Sequence, residues 1–101
     1  MSVVDIEIIE ATTGQATSNA FSSAGPRTLC SSIPLGTGEG AKVQITHNGS
    51  TWQDLYLNGV LQEIHETHSV LTILGPGLFR VIKSVTVLPI SIVTWKSEED
   101  A

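Results

Sequence analysis

Apolar and polar residues alternate along much of this chain with a period of two, the signature of half-buried strands. In "VVDIEII" (3–9), Val4, Ile6 and Ile8 share one side and Asp5 and Glu7 the other. "AKVQIT" (41–46) sets Ala41, Val43 and Ile45 against Lys42, Gln44 and Thr46. "RTLCSSI" (27–33) places Leu29, Ser31 and Ile33 opposite Thr28, Cys30 and Ser32. Further short runs are "TWQDLYL" (51–57), "VLQEI" (60–64), "SVLTIL" (69–74), "LFRVIK" (78–83) and "ISIVTW" (90–95). Phe79, Val81 and Val85 read as core by the same alternation.

Turn chemistry separates the runs. Asn48-Gly49 is a hairpin signal, because both residue types tolerate positive φ, and a second turn is expected at Asn58-Gly59. "PLGTGEG" (34–40) is a turn, and Gly75-Pro76-Gly77 fits a type II corner with Pro at its second position and Gly at its third. "HETH" (65–68) reads as an exposed corner. "ATTGQATSNAFSSAGP" (11–26) is small, polar and aperiodic, so a flexible loop is expected over about residues 10–26, with room for a weak edge strand. "KSEEDA" (96–101) is expected to fray as an acidic tail.

Seven or eight short strands with turn signals every 8–12 residues predict an all-β chain. A single antiparallel β-sandwich domain over residues 1–101, jelly-roll-like or immunoglobulin-like, is expected, with a small barrel as the alternative closure. No helical period of useful length and no internal repeat is present.

Composition sharpens this picture. Thirty of the 101 residues are Val, Ile or Thr, whose branched side chains suit a pleated surface. A chain of this size buries roughly 65% of its extended surface, enough for one modest core. Ten acidic residues face five Lys plus Arg, for a net charge of −5. Nucleic-acid binders gain affinity by neutralising phosphates, and an anionic membrane repels the same charge, so neither is expected as a partner. Cys30 is the single cysteine, which excludes an intrachain disulfide and reads as a small half-buried hydrophobe. The start "MSVVDIEII" has neither a basic region nor a long apolar stretch, from which synthesis in a cytoplasm without a leader is expected.

Candidate chemistry is sparse. Gly36-Thr37-Gly38-Glu39-Gly40-Ala41-Lys42 superficially resembles a phosphate loop, but Ala41 separates Gly40 from Lys42, Val43 replaces the hydroxyl residue, and a strand follows instead of a helix. Pro76 has no N–H to offer a phosphate. His65 and His68 with His47 do not match zinc-ligand spacing. Asn48-Gly49-Ser50 is a formal glycosylation sequon that the hairpin explains. No nucleophilic triad and no acid–base pair can be assembled by spacing, so no catalytic residue, cofactor or metal is expected. Trp52 and Tyr56 share strand parity, with Asp54 between them. Turned inward they are core, the commoner case; turned outward they form a stacking platform. Arg80 falls opposite the core face, where its planar fork suits an acidic residue of a neighbouring subunit.

"NGSTWQDLYLNG" (48–59) and "LTILGPGLFRVIKS" (71–84) give the chain a family likeness. It resembles small β-rich virion proteins of tailed bacteriophages, in which a Trp-containing segment is followed by a Gly-Pro-Gly-aromatic-Arg-Val corner and a closing apolar strand. The resemblance spans about residues 40–95. It implies a non-enzymatic structural protein, a capsid decoration or cement protein made in the host cytoplasm and placed on the outer capsid surface. It further implies a homo-oligomer that contacts the major capsid protein or another virion protein, with Trp52, Tyr56, Arg80 and Trp95 as interface candidates. Alternatives are a tail or fibre component and a carbohydrate-binding module with Trp52, Tyr56 and Trp95 as its stacking face.

Overall fold

The period-two runs become strands, and pairing sorts them into two main sheets and a separate two-stranded hairpin. The computed structural model describes residues 3–23, 26–74 and 76–97, without the side chains of 3–6 and 95–97. In chain order the strands are β1 (Val3–Thr12), β2 (Ala16–Thr17), β3 (Phe21–Ser23), β4 (Arg27–Ser31), β5 (Gly40–Thr46) and β6 (Gln53–Asp54). They continue with β7 (Tyr56–Leu57), β8 (Val60–Leu61), β9 (Glu63–His65), β10 (Val70–Ile73), β11 (Gly77–Lys83) and β12 (Ile90–Ser97). One sheet has the order β1-β12-β4-β10. The other has β2-β11-β5-β6, with β3 also on β11 and β9 also on β5. All pairings are antiparallel. Leu29, Leu71, Ile73 and Ile92 of the first sheet meet Ala41, Val43, Ile64, Phe79 and Val81 of the second in one core. The architecture is therefore all-β and sandwich-like, and the sheets do not close into a barrel.

Of the residues expected inward, Ala41, Val43, Phe79 and Val81 are buried and Ile45 packs against the core. β4 buries Arg27, Leu29 and Ser31, and Cys30 is half-buried. On β1 a register shift with β12 between Glu7 and Ile9 sets Ile9 opposite Ile92, and Ile9 becomes the buried residue while Ile8 packs at the core margin. The expected inward positions of Val4 and Ile6 lie outside the described side chains.

Four expectations are corrected or refined. First, the stretch over about 10–26, expected as a loop with room for a weak edge strand, carries β2 and β3, which follow β11 as an interrupted edge strand. Ser18 bridges them: its N–H donates to the Val81 carbonyl at 2.8 Å, and its Oγ accepts the Val81 N–H at 2.8 Å. Strands of two and three residues are too short to show a period, and Phe21 anchors them with its ring centroid 6.1 Å from that of Phe79.

Second, Val85 is exposed, because β11 ends at Lys83 and the chain turns away before the alternation reaches it. Third, the single runs 51–57 and 60–64 are broken. The chain leaves the β5 edge after Leu55 and returns at Gln62, and β7 and β8 project between those points as a separate hairpin. Its turn residues Asn58 and Gly59 have φ of 54° and 80°, the pair of positive values a type I′ turn requires.

Fourth, Asn48-Gly49 sits in a wider loop than a two-residue turn. Thr46 Oγ1 accepts the Gly49 N–H at 3.1 Å and Asn48 Oδ1 accepts the Ser50 and Thr51 N–H groups at 2.9 Å. Gly75 of the Gly-Pro-Gly corner and the tail beyond Ser97 lie outside the described residues.

Two basic residues occupy the interior. Lys83 takes the inward position after Phe79 and Val81 on β11, opposite Ala41, whose small side chain leaves it room. Its Nζ donates to the carbonyls of Gly14 at 2.8 Å and Ser84 at 2.9 Å. Arg27 reaches across the core margin: Nε donates to Thr94 Oγ1 at 3.0 Å, Nη1 to the Ser22 carbonyl at 2.9 Å, and the guanidinium lies 5.1 Å from the Phe21 ring centroid. Both cations thus tie the N-terminal edge segment to the sandwich.

Burial pushes the Lys83 pKa below its ordinary 10.5, against the opposing pull of Glu39. Between the lowered folded value and 10.5 the unfolded chain binds more protons than the folded one, so stability from this group rises with pH across that window. Urea unfolding at neutral and at alkaline pH should show the wild type gaining on Lys83→Met as pH rises; a constant gap would contradict the burial. At Gly77 a Cβ would sit 2.7 Å from Phe79 Cζ and 3.3 Å from Ile45 Cδ1. Gly77→Ala is therefore expected to cost about 1–3 kcal/mol by overpacking, read from the urea midpoint.

Candidate interaction surfaces

The register of β5 with β11 and β6 lines up Arg80, Gln44 and Asp54 directly across three strands, on the face turned away from the core. Arg80 Nε donates to Gln44 Oε1 at 2.8 Å, and Gln44 Nε2 donates to Asp54 Oδ1 at 2.9 Å. Lys42, two residues before Gln44 on the same face, brings its Nζ to 3.2 Å from Asp54 Oδ1. These contacts, the Gln44 hydrogen bond first and Lys42 second, hold the Asp54 carboxyl below its usual range. At the other end of the row, the Arg80 guanidinium lies 4.5 Å from the Trp52 ring centroid. The result is a continuous polar ladder whose members mostly satisfy one another.

The aromatic question raised by residues 51–57 is thereby settled. Neither Trp52 nor Tyr56 enters the core. Trp52 is half-buried beneath Arg80, and Tyr56, 58% exposed, stands on the projecting hairpin. Trp95 belongs to the other sheet through its pairing with Thr28, and its side chain lies outside the described residues. The structure therefore brings Trp52 and Arg80 together and leaves Tyr56 and Trp95 elsewhere. The guanidinium, expected to reach a neighbouring subunit, is engaged within its own sheet.

The loop at Gly36-Gly40 is closed by its own carboxylate. The carboxylate of Glu39 takes the place of an anion: Oε1 accepts the Gly36 N–H at 2.7 Å and Oε2 accepts the Val87 N–H at 2.8 Å. These backbone hydrogen bonds, Gly36 first, lower the Glu39 pKa. The clip joins the β4–β5 loop to the β11–β12 loop. Beside it an open groove of about 520 Å³ is bordered by Gln15, Glu39, Lys42, Glu63, His65 and Glu66.

His65 and His68 stack with ring centroids 5.6 Å apart, and Thr67 Oγ1 lies 3.1 Å from His65 Nδ1. His47 follows the far end of β5, roughly 20 Å away at ~3.4 Å per residue. Among the described residues no group of metal-ligating side chains assembles.

Apolar exposure is concentrated where alternation gave no warning. The β7–β8 hairpin presents Tyr56, Leu57 and Val60. The β11–β12 loop presents Val85, Val87 and Leu88, with Val87 86% exposed. Val87 and Leu88 share a shallow cleft with Pro34 and Leu35. The turn signals at Asn58-Gly59 and Pro89 mark these loops in the sequence, but the length of projection is set by where the flanking strands stop.

Arg80→Ala should uncover the Trp52 ring and raise its quenching by acrylamide, read in a Trp95→Phe background so that Trp52 is the sole emitter. Stability should fall by about 0.5–1 kcal/mol, the scale of an exposed cation–π contact. Unchanged quenching would remove the stacked geometry.

Compared with known protein families, characterised proteins and solved structures, this chain matches none.

Proposed function

We propose that this chain is a non-enzymatic structural protein that binds and stabilises an assembled bacteriophage capsid, a decoration or cement protein acting as a homo-oligomer on the outer shell. The observation that carries the reading is the gathering of exposed apolar side chains on two projecting elements, the β7–β8 hairpin and the β11–β12 loop, of an otherwise acidic sandwich. Exposed apolar groups rimmed by polar ones suit a protein–protein contact. Each patch is small, so each contact is weak. Repetition on a lattice multiplies such contacts, and a protein that binds only the assembled shell stabilises it by mass action.

Charge supports the same placement. With Arg27 and Lys83 in the interior, the described residues leave six carboxylates, Glu7, Glu10, Glu39, Asp54, Glu63 and Glu66, outside the core against two cations, Lys42 and Arg80. Such a surface suits the outside of a particle and disfavours its DNA-facing side. The resemblance over residues 40–95 points the same way. A tail or fibre role uses the same contacts at lower copy number. A carbohydrate-binding role is less well supported, because Arg80 occupies one face of Trp52 and Tyr56 stands on a different element.

Quantitative mass spectrometry of purified particles of the encoding phage tests this. Hundreds of copies per particle, with lower heat resistance of shells lacking the chain, are expected. A handful would move it to the tail or a fibre, and none would end the virion reading.

A further inference from the structure

A sheet edge without charge, proline or irregularity invites pairing, and most edges of this fold are protected. On the first sheet, β1 carries Asp5, Glu7 and Glu10 and has two register shifts. On the second, one edge is the interrupted β2–β3 segment and the other is broken by the β7–β8 hairpin. The remaining edge is β10. Its stretch Ser69–Leu74 contains no charged residue, no Gly and no Pro, and its four pairs with β4 run without a shift. Among the described residues no strand lies on its other side.

The direction of its free backbone groups follows from one bond. The Ser31 N–H donates to the Ser69 carbonyl at 3.3 Å, so Ser69 turns its peptide groups toward β4. Successive residues alternate, so Leu71 and Ile73 also face β4, while Val70, Thr72 and Leu74 direct N–H and C=O outward. Their side chains share the outer face of the sheet: Val70 is 49% exposed, Leu74 is 54% exposed, and Thr72 between them is exposed.

We propose that β10 pairs antiparallel with β10 of a second copy, Thr72 opposite the partner's Thr72, joining two four-stranded sheets into one. In this register Val70 lies opposite the partner's Leu74 and Leu74 opposite the partner's Val70. Each of the three pairs exchanges both of its hydrogen bonds. The two exposed apolar residues of the edge cover each other, and a threonine pair sits at the two-fold axis. On the inner face Leu71 meets the partner's Ile73, so the two cores become continuous. A register centred on Leu71 would instead set Leu74 against the partner's His68. Between chains of net charge −5, the neutral edge is also the approach with the least repulsion.

This deepens the homo-oligomer element of the proposed function but rests only on the sheet edge, so dimerisation by a chain absent from particles would separate the two. Sedimentation equilibrium of the full chain, from low to hundreds of micromolar, should give twice the 10.7 kDa chain mass at the upper end. Thr72→Lys places two cations face to face at the axis and should weaken the dimer by at least about tenfold, with the unfolding midpoint of the monomer unchanged.

Amide exchange of the wild type supplies a readout that needs no variant. Protection at Val70, Thr72 and Leu74 should rise with chain concentration, while Leu71 and Ile73 stay protected throughout. A monomer at every concentration, open-ended aggregation, concentration-independent exchange at those three amides, or a Thr72→Lys chain that keeps the wild-type dimer would each overturn the proposal.

Discussion

The pairing of β5 with β11 is the interaction on which the rest of this sandwich hangs. Six consecutive pairs, from Leu78 with Thr46 to Lys83 with Ala41, join them without a shift. One face of the pair delivers Ala41, Val43, Phe79 and Val81 to the core, and the other delivers Gln44 and Arg80 to the ladder. A slip of one residue would turn one strand over, burying Arg80 and exposing Phe79 if β11 moved, or burying Gln44 and exposing Val43 if β5 did, so burial itself enforces the register. Every other strand of that sheet is attached to one of these two, β2 and β3 to β11, β6 and β9 to β5.

The two interior cations show how a small domain orders a segment that has little to bury. Residues 11–23 offer Phe21 as their one large apolar group, too little to offset the entropy of fixing that much backbone. Lys83 supplies a hydrogen bond to the Gly14 carbonyl, and Arg27 supplies one to the Ser22 carbonyl and a cation over the face of Phe21. A buried charge is costly unless its donors are satisfied. Here backbone carbonyls and the Thr94 hydroxyl satisfy them, so the cations fasten the segment locally and leave the surface with an excess of acids.

The same economy governs the surface. Several charged groups are occupied within the molecule, Arg80 with Gln44 and Trp52, Asp54 with Gln44 and Lys42, Glu39 with the backbone of two loops. The exposed apolar side chains gather at the hairpin tip, the β11–β12 loop and the edge of β10. On the proposed reading these are the surfaces by which other proteins hold the chain, through contacts that are individually small and gain strength by repetition.

Period-two alternation, clearest at 41–46 and 78–83, was sufficient to indicate the all-β class, the core faces of β5 and β11 and the outward position of Arg80, because in a strand neighbouring side chains must point to opposite sides. Asn58-Gly59 determined its turn for an equally local reason, the positive φ that both residues accept. Tertiary structure decided the rest. Whether Trp52 faced core or solvent depended on the register of β6 with β5, and the break after Leu55 depended on how far that edge could follow its neighbour. Lys83 was inward by parity yet reads as a surface residue until two carbonyls and a facing alanine are supplied from elsewhere in the chain. The strands in 11–23 exist only because β11 lies beside them. Alternation is encoded in adjacent residues, whereas partners, edges and strand ends are set by contacts between residues distant in sequence.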